Sequence, residues 1–402
     1  MIEEEEYLDV EAEDTPSEEV APGLLAERTL SKVIGSSHKK IERFRLILMF
    51  CACVNMLGFP TRFGSLVEFA CGFAAPAFFF LSGFLVLSDS EKRRKRIART
   101  LLRTAITFLV LVVLYTAINL YIYGKLGANV LPALKNGKLW LNFALFNVWP
   151  FDVGGAIWFV QSVLYSYIII FVLDRIKLLR FDYIIFSVLL IFSVLTGELS
   201  GTIGFSLFGY SSLPSFFLNQ GLPFILIGGF VGRNISKLEY VNPLFYVGAL
   251  AIGLGLTFGE PILFSKLGLK GNFNHSIGMG LAGVALCTLV LQNVILRDMD
   301  DYDIAQESEF PITRFETNLI YYLYQPAGAL FGFLIVALEE DLFSHTSEYL
   351  GVATFVALLI IAMVVGAIHK KIAKALEAKK AKKSVKKEAD EEELTLSAET
   401  EE

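Results

Sequence analysis

The chain has 402 residues, of which 54% are hydrophobic and only 19% are charged, and its mean hydropathy is +0.56. This composition excludes a disordered or fibrous protein and disfavours an ordinary soluble globular domain. The formal net charge of −6 comes from the ends of the chain, because residues 21–369 hold 26 basic and 22 acidic residues. An apolar and slightly basic body does not indicate a nucleic-acid partner.

The two ends of the chain are much more polar than the part between them. An acidic run opens the sequence, and a lysine-rich stretch followed by an acidic one closes it. Such segments cannot bury a core. We therefore expect a largely disordered acidic cytoplasmic tail over 1–38, a transmembrane domain over 39–370 and a second cytoplasmic tail over 371–402. The first 20 residues lack the basic and apolar regions of a cleavable signal peptide.

Long apolar stretches occupy most of the chain between the tails. A helix needs roughly 20 mostly apolar residues to cross about 30 Å of hydrocarbon. The third stretch contains Phe108–Leu114, which shows no polar stripe of the kind that a soluble helix presents to water. The sequence predicts an all-α, polytopic membrane protein with ten transmembrane helices near 44–60, 68–87, 100–122, 155–174, 181–197, 215–232, 242–259, 277–296, 317–337 and 350–369.

The distribution of basic residues predicts the orientation of these spans. With both termini in the cytoplasm, 29 of the 35 Lys and Arg residues lie on the cytoplasmic side. The opposite orientation would translocate the basic block 92–103 and the lysine-rich tail, against the positive-inside rule. We therefore predict a multi-pass protein of the plasma membrane, surrounded by lipid, with both termini cytoplasmic.

The densest basic cluster lies between the second and third predicted spans. Arg96, Arg99 and Arg103 recur at intervals of three and four residues, so they share one face of a helix. Planar guanidinium groups at that spacing suit phosphate, which they can bind through two hydrogen bonds each. The cluster is also accounted for as an orientation signal alone.

Several small or polar residues interrupt the apolar spans. Ser82-Gly83-Phe84 lies in the second span, Gly228-Gly229 in the sixth, and Trp158 precedes Gln161-Ser162 in the fourth. Small residues allow helices to pack closely, and polar side chains within a span tend to face the interior of the bundle. All four cysteines fall in predicted spans, where we expect apolar packing, and no zinc-site or disulfide spacing is present.

The order and spacing of these motifs resemble the integral-membrane acyltransferase-3 family. The likeness rests on ten spans, the R-x-x-R of Arg96 and Arg99, Ser82-Gly83-Phe84, Trp158-Phe159 and the segment 223–232. It covers about residues 40–370. Members of this family typically move an acetyl or other short acyl group from cytoplasmic acyl-CoA to a hydroxyl of a cell-envelope glycan.

The resemblance assigns roles to individual residues. It implies that Arg96 and Arg99, together with Arg45, bind acyl-CoA, and that Ser82 and Trp158 line an intramembrane cavity. Acyl-CoA is then a donor substrate, and neither a metal nor a further cofactor is expected. The acceptor would be a cell-envelope polysaccharide or a lipid-linked sugar. The outer loop over about 123–155, with its tryptophans, suits a sugar or is simply an amphipathic loop.

The sequence departs from the family pattern at the catalytic base. The family's first-span histidine, counted from Arg45, corresponds to Met56, and Gln325 stands where many relatives carry a second histidine. We expect Gln325 to line the cavity. Glu68 and Asn55 are the candidate catalytic residues, since a desolvated carboxylate can act as a base near neutral pH. The alternative interpretation, a hydrated carboxylate at headgroup level, is the favoured one for Glu68. The four histidines, expected in tails or loops, are His38, His275, His345 and His369.

Three functions remain open from the sequence. The first is a membrane acyltransferase with a substituted catalytic centre. The second is a catalytically lapsed relative that binds or moves an envelope lipid or glycan, or scaffolds a partner. The third, an unrelated secondary transporter, is less favoured because the sequence shows few buried charges and no paired interruptions in two halves.

Overall fold

The computed structural model describes residues 39–57, 64–88, 93–125, 131–204, 217–238, 240–269, 276–300, 314–338, 349–372 and 375. All regular structure in these ranges is helical, which confirms the prediction of an all-α fold. The predicted tail 1–38 lies outside the described residues, as does the tail 371–402 apart from positions 371, 372 and 375.

The described residues form fourteen α-helices and two short 3₁₀ segments. In chain order the helices are α1 (Lys39–Leu57), α2 (Gly64–Ala70), α3 (Ala74–Leu87), α4 (Arg93–Lys125), α5 (Leu131–Lys135), α6 (Gly137–Phe146), α7 (Gly155–Arg175), α8 (Asp182–Thr196), α9 (Gly221–Arg233), α10 (Ile235–Leu238), α11 (Pro243–Lys266), α12 (Ile277–Asp300), α13 (Arg314–Leu338) and α14 (Leu350–Ile372). The 3₁₀ segments are Cys71–Phe73, between α2 and α3, and Leu178–Phe181, before α8.

Eight helical segments of the described chain are long and apolar enough to cross a membrane, so the predicted count of ten is not confirmed. Two of the predicted spans correspond to helices that are too polar or too short to meet this criterion. α1 has 19 residues, but five of its first seven are charged. α9 is apolar but has only 13 residues, which corresponds to a length of about 20 Å against roughly 30 Å of hydrocarbon.

The outer helices of the bundle expose large apolar side chains. Leu109 and Val113 of α4 are 64% and 69% exposed, and Ile191 of α8 is 62% exposed. In water such surfaces would favour aggregation, whereas in a bilayer they face lipid. The chain is therefore a multi-pass membrane protein.

α4 is longer than a membrane crossing requires. It begins at Arg93, seven residues before the predicted span, and runs without interruption for 33 residues, or about 50 Å. The excess over about 30 Å of hydrocarbon holds the basic cluster. Arg96 and Arg99 thus lie on a rigid continuation of the span rather than in a loop.

Glycines bring α3 and α9 into direct backbone contact. A Cβ atom added at Gly83 would overlap the Ile225 carbonyl oxygen, and one added at Gly228 would overlap the Phe80 carbonyl oxygen. Both glycines are therefore required by packing, as expected for small residues at helix crossings in membranes. The α3–α9 pair, together with α7 and α12, forms the interior of the bundle.

Candidate functional site

A small cavity lies between α1, the second span, α7 and α13. Its lining residues are Ala52, Asn55, Met56, Cys71, Gly72, Ala74, Ala75, Phe78, Trp158, Phe159 and Tyr321. The cavity volume is about 40 Å³. A cavity needs at least about 10–15 Å³ to hold one water molecule, so about three waters or one small acyl group would fill this one.

The α1 wall of the cavity contains the position of the expected histidine. Met56 lines the cavity and brings a thioether, which cannot accept a proton from an alcohol. Asn55 lies beside it, and its Nδ2 donates a hydrogen bond to the Glu68 carbonyl oxygen at 3.1 Å. The bond joins α1 to α2. The side chain of Glu68 is half-buried and is not among the residues that line this cavity.

The opposite wall is formed by the 3₁₀ segment that interrupts the second span. Cys71 and Gly72 lie in this segment and line the cavity. The Cys71 thiol is in hydrogen-bond contact with the Cys51 thiol of α1. Behind this wall, a Cβ atom added at Gly72 would overlap the side chain of Met279 on α12. The close approach of α1, the second span and α12 therefore depends on small residues.

Aromatic rings packed between α3 and α7 close one side of the cavity. Phe79 and Phe159 stack with their ring centroids 4.4 Å apart, and the Trp158 ring lies 6.2 Å from Phe79. Phe79 is fully buried. Trp158, predicted to line a cavity, is among the residues that line this one.

Ser82 lies about one helical turn beyond this aromatic layer. Its hydroxyl lies 2.8 Å from the Tyr167 hydroxyl, which also donates to the Ser82 carbonyl oxygen at 3.0 Å. These bonds join α3 to α7. Ser82 is thus placed between the cavity and the end of α7, and it is not among the lining residues of the described cavity.

Gln325 holds the beginning of α7. Its Oε1 accepts hydrogen bonds from the backbone N–H groups of Gly154, at 2.8 Å, and of Gly155. These two groups belong to the amino terminus of the helix, where backbone N–H groups lack helical partners. Gln325 therefore links α13 to α7 and is not among the lining residues of the described cavity.

The segment before α7 is also bonded into the bundle. Asn119 of α4 exchanges hydrogen bonds with Val153, donating at 2.8 Å and accepting at 3.2 Å. Asn147, in a left-handed conformation, donates to the Trp158 carbonyl oxygen at 2.7 Å. The predicted outer loop is thus partly helical, and its last part is folded onto the bundle. Gln161 and Ser162 are fully buried, as expected for polar residues that face the interior.

Arginines gather where α4 begins and α7 ends, a region we call the arginine end. Asp174, buried on α7, binds Arg93 at 2.8 Å and Arg94 at 3.4 Å. Arg96 is half-buried and Arg99 exposed on the next turns of α4. Two carboxylates close by, Asp174 and Asp182, offset only part of this positive charge. Asp182 pairs with Arg233 of α9.

Arg45 belongs to a different helix from these arginines and lies in the first turns of α1. It is buried and forms an ion pair with Glu42 at 3.3 Å, one turn away on the same helix. The predicted acyl-CoA ligands are therefore divided between two helices. Their role in binding stays a prediction, as do the catalytic roles of Glu68 and Asn55.

The arginine end and the cavity lie at different levels along α7. Asp174 follows Trp158 by 16 residues, which corresponds to about 24 Å along the helix. α4 runs antiparallel to α7, since Arg93 contacts Asp174 and Asn119 contacts Val153. Arg96 and Arg99 are accordingly one to two turns nearer to the cavity than Arg93 is.

A pair of buried carboxyl groups at the start of α12 was missed by the sequence analysis. Glu198 accepts a hydrogen bond from the Ile277 N–H, and Glu260 accepts one from the Gly278 N–H at 3.2 Å. Burial, followed by the nearby Glu260 carboxylate, raises the pKa of Glu198 to about 7. The sequence does show that Glu198 and Glu260 each follow an apolar span, which is a signal for a candidate site. That the two carboxyl groups lie close together depends on the fold and is not visible in the sequence.

The described part of the chain offers no obvious metal centre or histidine base. No group of three or more His, Cys, Asp or Glu side chains there is placed to hold a metal ion. His369 lies on α14 and is exposed, so its expected position in a tail or loop was wrong. His38, His275 and His345 lie outside the described residues.

Comparisons with known proteins give one match. The family model described as an acyltransferase domain, of the acyltransferase-3 type, matches residues 45–297. This range includes the cavity walls contributed by α1, the second span and α7, and also the arginine end. Neither the curated proteins nor the solved structures give a match.

Proposed function

The chain belongs to the acyltransferase-3 family, and on that premise we propose that it moves an acetyl or other short acyl group from acyl-CoA to a hydroxyl of a cell-envelope polysaccharide or glycolipid. In this proposal the protein lies in the plasma membrane with both termini in the cytoplasm. The arginine end then faces the cytoplasm, where acyl-CoA is available.

One observation carries the proposal: the helix that is tied to the arginines also lines the cavity. α7 bears Asp174, which binds Arg93 and Arg94, and it bears Trp158 in the cavity wall. A donor held by its phosphates at the arginine end would lie along α7, with its thioester directed towards the cavity. Ser82 and Tyr167 lie between the two positions, so donor entry requires their hydrogen bonds and the aromatic layer to open.

The donor site is proposed at Arg96 and Arg99, with Arg45 contributing from α1. The phosphates of acyl-CoA carry several negative charges, and arginine forks on successive turns of one helix match them well. Because α4 is continuous from this cluster into the span, the guanidinium groups are held at a fixed height relative to the bundle. Fixed placement reduces the entropy that binding must overcome.

The acceptor is proposed to enter from the opposite side of the membrane. Asn55 lies near that end of α1 and lines the cavity, and its bond to the Glu68 carbonyl keeps α2 close. Glu68 is proposed as the base that accepts the hydroxyl proton when the acyl group is attacked directly. The aromatic cluster of Trp140, Trp149 and Phe151 offers ring faces of the kind on which sugars stack.

The donor site is tested by replacing the two arginines together. A hydrogen bond to a charged group contributes about 1.5–3 kcal/mol, so removing even one such bond to phosphate weakens binding about tenfold or more. We therefore expect Arg96→Ala with Arg99→Ala to raise the Kd for acyl-CoA by at least that factor. Binding is measured on the purified full chain by calorimetry or microscale thermophoresis.

The matched control is Arg180→Ala. Arg180 lies 4.7 Å over the Phe181 ring in the 3₁₀ segment before α8, so its removal lowers the positive charge without altering α4. Acyl-CoA affinity should change less than threefold. Equal affinity of the wild type and the double variant would contradict the donor site.

A catalytically lapsed relative is the second candidate, favoured by Met56 in the cavity wall. Such a protein would bind or move an envelope lipid or glycan, or scaffold a partner, without acyl transfer. A purified protein that binds an acceptor lipid but neither transfers nor hydrolyses an acyl group would support this candidate. Loss of ester-linked acyl groups from the envelope after gene deletion, restored by the purified enzyme, would support the transferase.

A further inference from the structure

The 3₁₀ wall of the cavity presents a thiol among small side chains. Cys71 lines the cavity together with Gly72, Ala74 and Ala75, so its neighbours on this wall are all small. The other lining residues with polar atoms are Asn55, Trp158 and Tyr321. An amide, an indole and a phenol are all much weaker nucleophiles at neutral pH than a cysteine thiolate.

Cys71 has a second thiol as its neighbour. Cys51 of α1 is in hydrogen-bond contact with it, and no disulfide joins them. The contact holds the two sulfur atoms together and joins α1 to the 3₁₀ wall. The remaining cysteines are placed differently: Cys53 is fully buried, and Cys287 contacts the Ala77 carbonyl oxygen at 3.6 Å.

The cavity combines this nucleophile with a missing histidine. Direct attack of an alcohol on acyl-CoA needs a base that removes the hydroxyl proton; Met56 cannot act as one, and Glu68, the base proposed for direct attack, is not among the residues that line the cavity. A thioester formed on the protein divides the reaction into two easier steps. In the second of these steps, the departing cysteine sulfur is itself a proton acceptor at the reacting centre.

We propose that Cys71 carries the acyl group as a covalent thioester between donor and acceptor, an inference that rests on the proposed acyl-CoA-dependent function. In the first step the Cys71 sulfur attacks the acyl carbonyl, the bond from that carbon to the CoA sulfur breaks, and the Cys71 proton leaves with CoA as the free thiol. In the second step the acceptor hydroxyl attacks the Cys71 thioester. The carbon–sulfur bond breaks and the hydroxyl proton passes to Cys71, which restores the thiol.

The size of the cavity selects the acyl group. A volume of about 40 Å³ accommodates about three water molecules, which is comparable to an acetyl group and far smaller than a fatty chain. Phe78 and Trp158 limit its extension. The Cys71 thioester should therefore form with acetyl donors and fail with long-chain donors.

The test is to isolate the acyl-enzyme. Purified full chain is incubated with radiolabelled acetyl-CoA in the absence of acceptor, denatured, and analysed by scintillation counting and peptide mass spectrometry. We expect up to one acetyl group per chain, located on Cys71 and released by neutral hydroxylamine, as a thioester is. Cys71→Ala and Cys71→Ser should carry no such label, whereas Cys53→Ala and Cys287→Ala should carry it as the wild type does.

Cys51 is a positioning residue in this scheme. Loss of one hydrogen bond worth about 1.4 kcal/mol corresponds to about a tenfold slower acylation step. Cys51→Ala should therefore lower kcat about tenfold with little change in KM for acetyl-CoA. Cys51→Ser, which keeps a donor, should restore most of the rate, a rescue that a purely structural role would not give.

Two donors separate failure of this inference from failure of the proposed function. S-acetyl-N-acetylcysteamine is a thioester without nucleotide or phosphates, so its reaction does not depend on the arginine end. If this donor forms an adduct on Cys71 and acetyl-CoA does not, the result supports the inference and contradicts the proposal that acyl-CoA is the donor. Acceptor acylation from acetyl-CoA at the wild-type rate by Cys71→Ala overturns the inference and leaves the function intact. Absence of any Cys71 adduct from both donors on folded wild-type protein also overturns it.

Discussion

Neutral polar side chains hold together the parts of the bundle that surround the cavity. Gln325 accepts from the first N–H groups of α7, Asn119 bonds to Val153, and Asn147 bonds to the Trp158 carbonyl oxygen. The bonds of Gln325 and Asn119 satisfy backbone groups that a helix leaves open at its start or that a loop leaves open, whereas Asn147 bonds to a carbonyl within the first turns of α7. In an apolar surrounding an unsatisfied group is costly, so these three amides fix the segment before α7.

Glu198 gives the clearest prediction at the scale of one residue. Its folded-state pKa of about 7 lies above the ordinary 4.5, so the folded protein keeps a proton that the unfolded chain releases between these values. The contribution of Glu198 to the free energy of unfolding is then greatest below pH 4.5, falls as the pH rises towards 7, and is constant above it. The upper limit of the decrease is about 3 kcal/mol. We expect Glu198→Gln to abolish most of this decline in thermal unfolding of the detergent-solubilised protein between pH 5 and 8.

Asp152→Asn is the control for this measurement. Asp152 is an exposed carboxylate, and its replacement should leave the pH dependence of the unfolding temperature as in the wild type. A Glu198→Gln variant whose unfolding temperature declines with pH as steeply as that of the wild type would contradict the assignment.

At the scale of helices, the crossing of α3 and α9 is the tightest contact for which a matched test exists. A methyl group at Gly228 would overlap the Phe80 carbonyl oxygen, whereas one at Gly248 of α11 would meet open space. Overpacking a close contact costs about 1–3 kcal/mol, and alanine is otherwise favoured over glycine in a helix by about 0.5–1 kcal/mol. Gly228→Ala should therefore lower the unfolding temperature, while Gly248→Ala should leave it equal or slightly higher. Equal effects of the two substitutions would show that the crossing is looser than described.

Hydropathy predicted the existence of most helices but not their ends. α4 begins seven residues before its predicted span, because the basic residues 93–99 are good helix formers that lipid excludes. The 3₁₀ segment Cys71–Phe73 that interrupts the second span leaves no mark in the hydropathy profile, since its residues are as hydrophobic as their neighbours. The short α9 was counted as a span because its apolar run extends into residues before the helix.

The candidate site was predictable only where a motif marks it. The family resemblance assigned Trp158 to a cavity, and the family's spacing from Arg45 identified Met56 as the position of the expected histidine. The contact between Cys51 and Cys71 joins two helices, and their crossing angle is not readable from either sequence segment. The partners of Gln325 are backbone N–H groups, which every sequence contains and which no motif distinguishes.

At the scale of the whole molecule, charge and hydropathy make a prediction about topology. Lys138, on α6, should face the exterior, and Lys237, on α10, should face the cytoplasm, according to the positive-inside rule. Both side chains are exposed, so the two positions are comparable reporters. In intact cells, a membrane-impermeant maleimide should label Lys138→Cys and leave Lys237→Cys unlabelled until the cells are opened. Labelling of Lys237→Cys alone in intact cells would reverse the orientation of the bundle.

The amide at position 325 has a consequence for how the protein responds to acidity. Neither a glutamine side chain nor the backbone N–H groups of Gly154 and Gly155 exchange protons over the range that an envelope experiences. The joint between α13 and α7 therefore keeps the same strength in acidic and neutral surroundings. An imidazole in its place would change charge within that range and push against the positive end of the helix. Acidity accordingly leaves this joint unchanged, whereas the Glu198 carboxyl beside the start of α12 gains or loses its proton near pH 7.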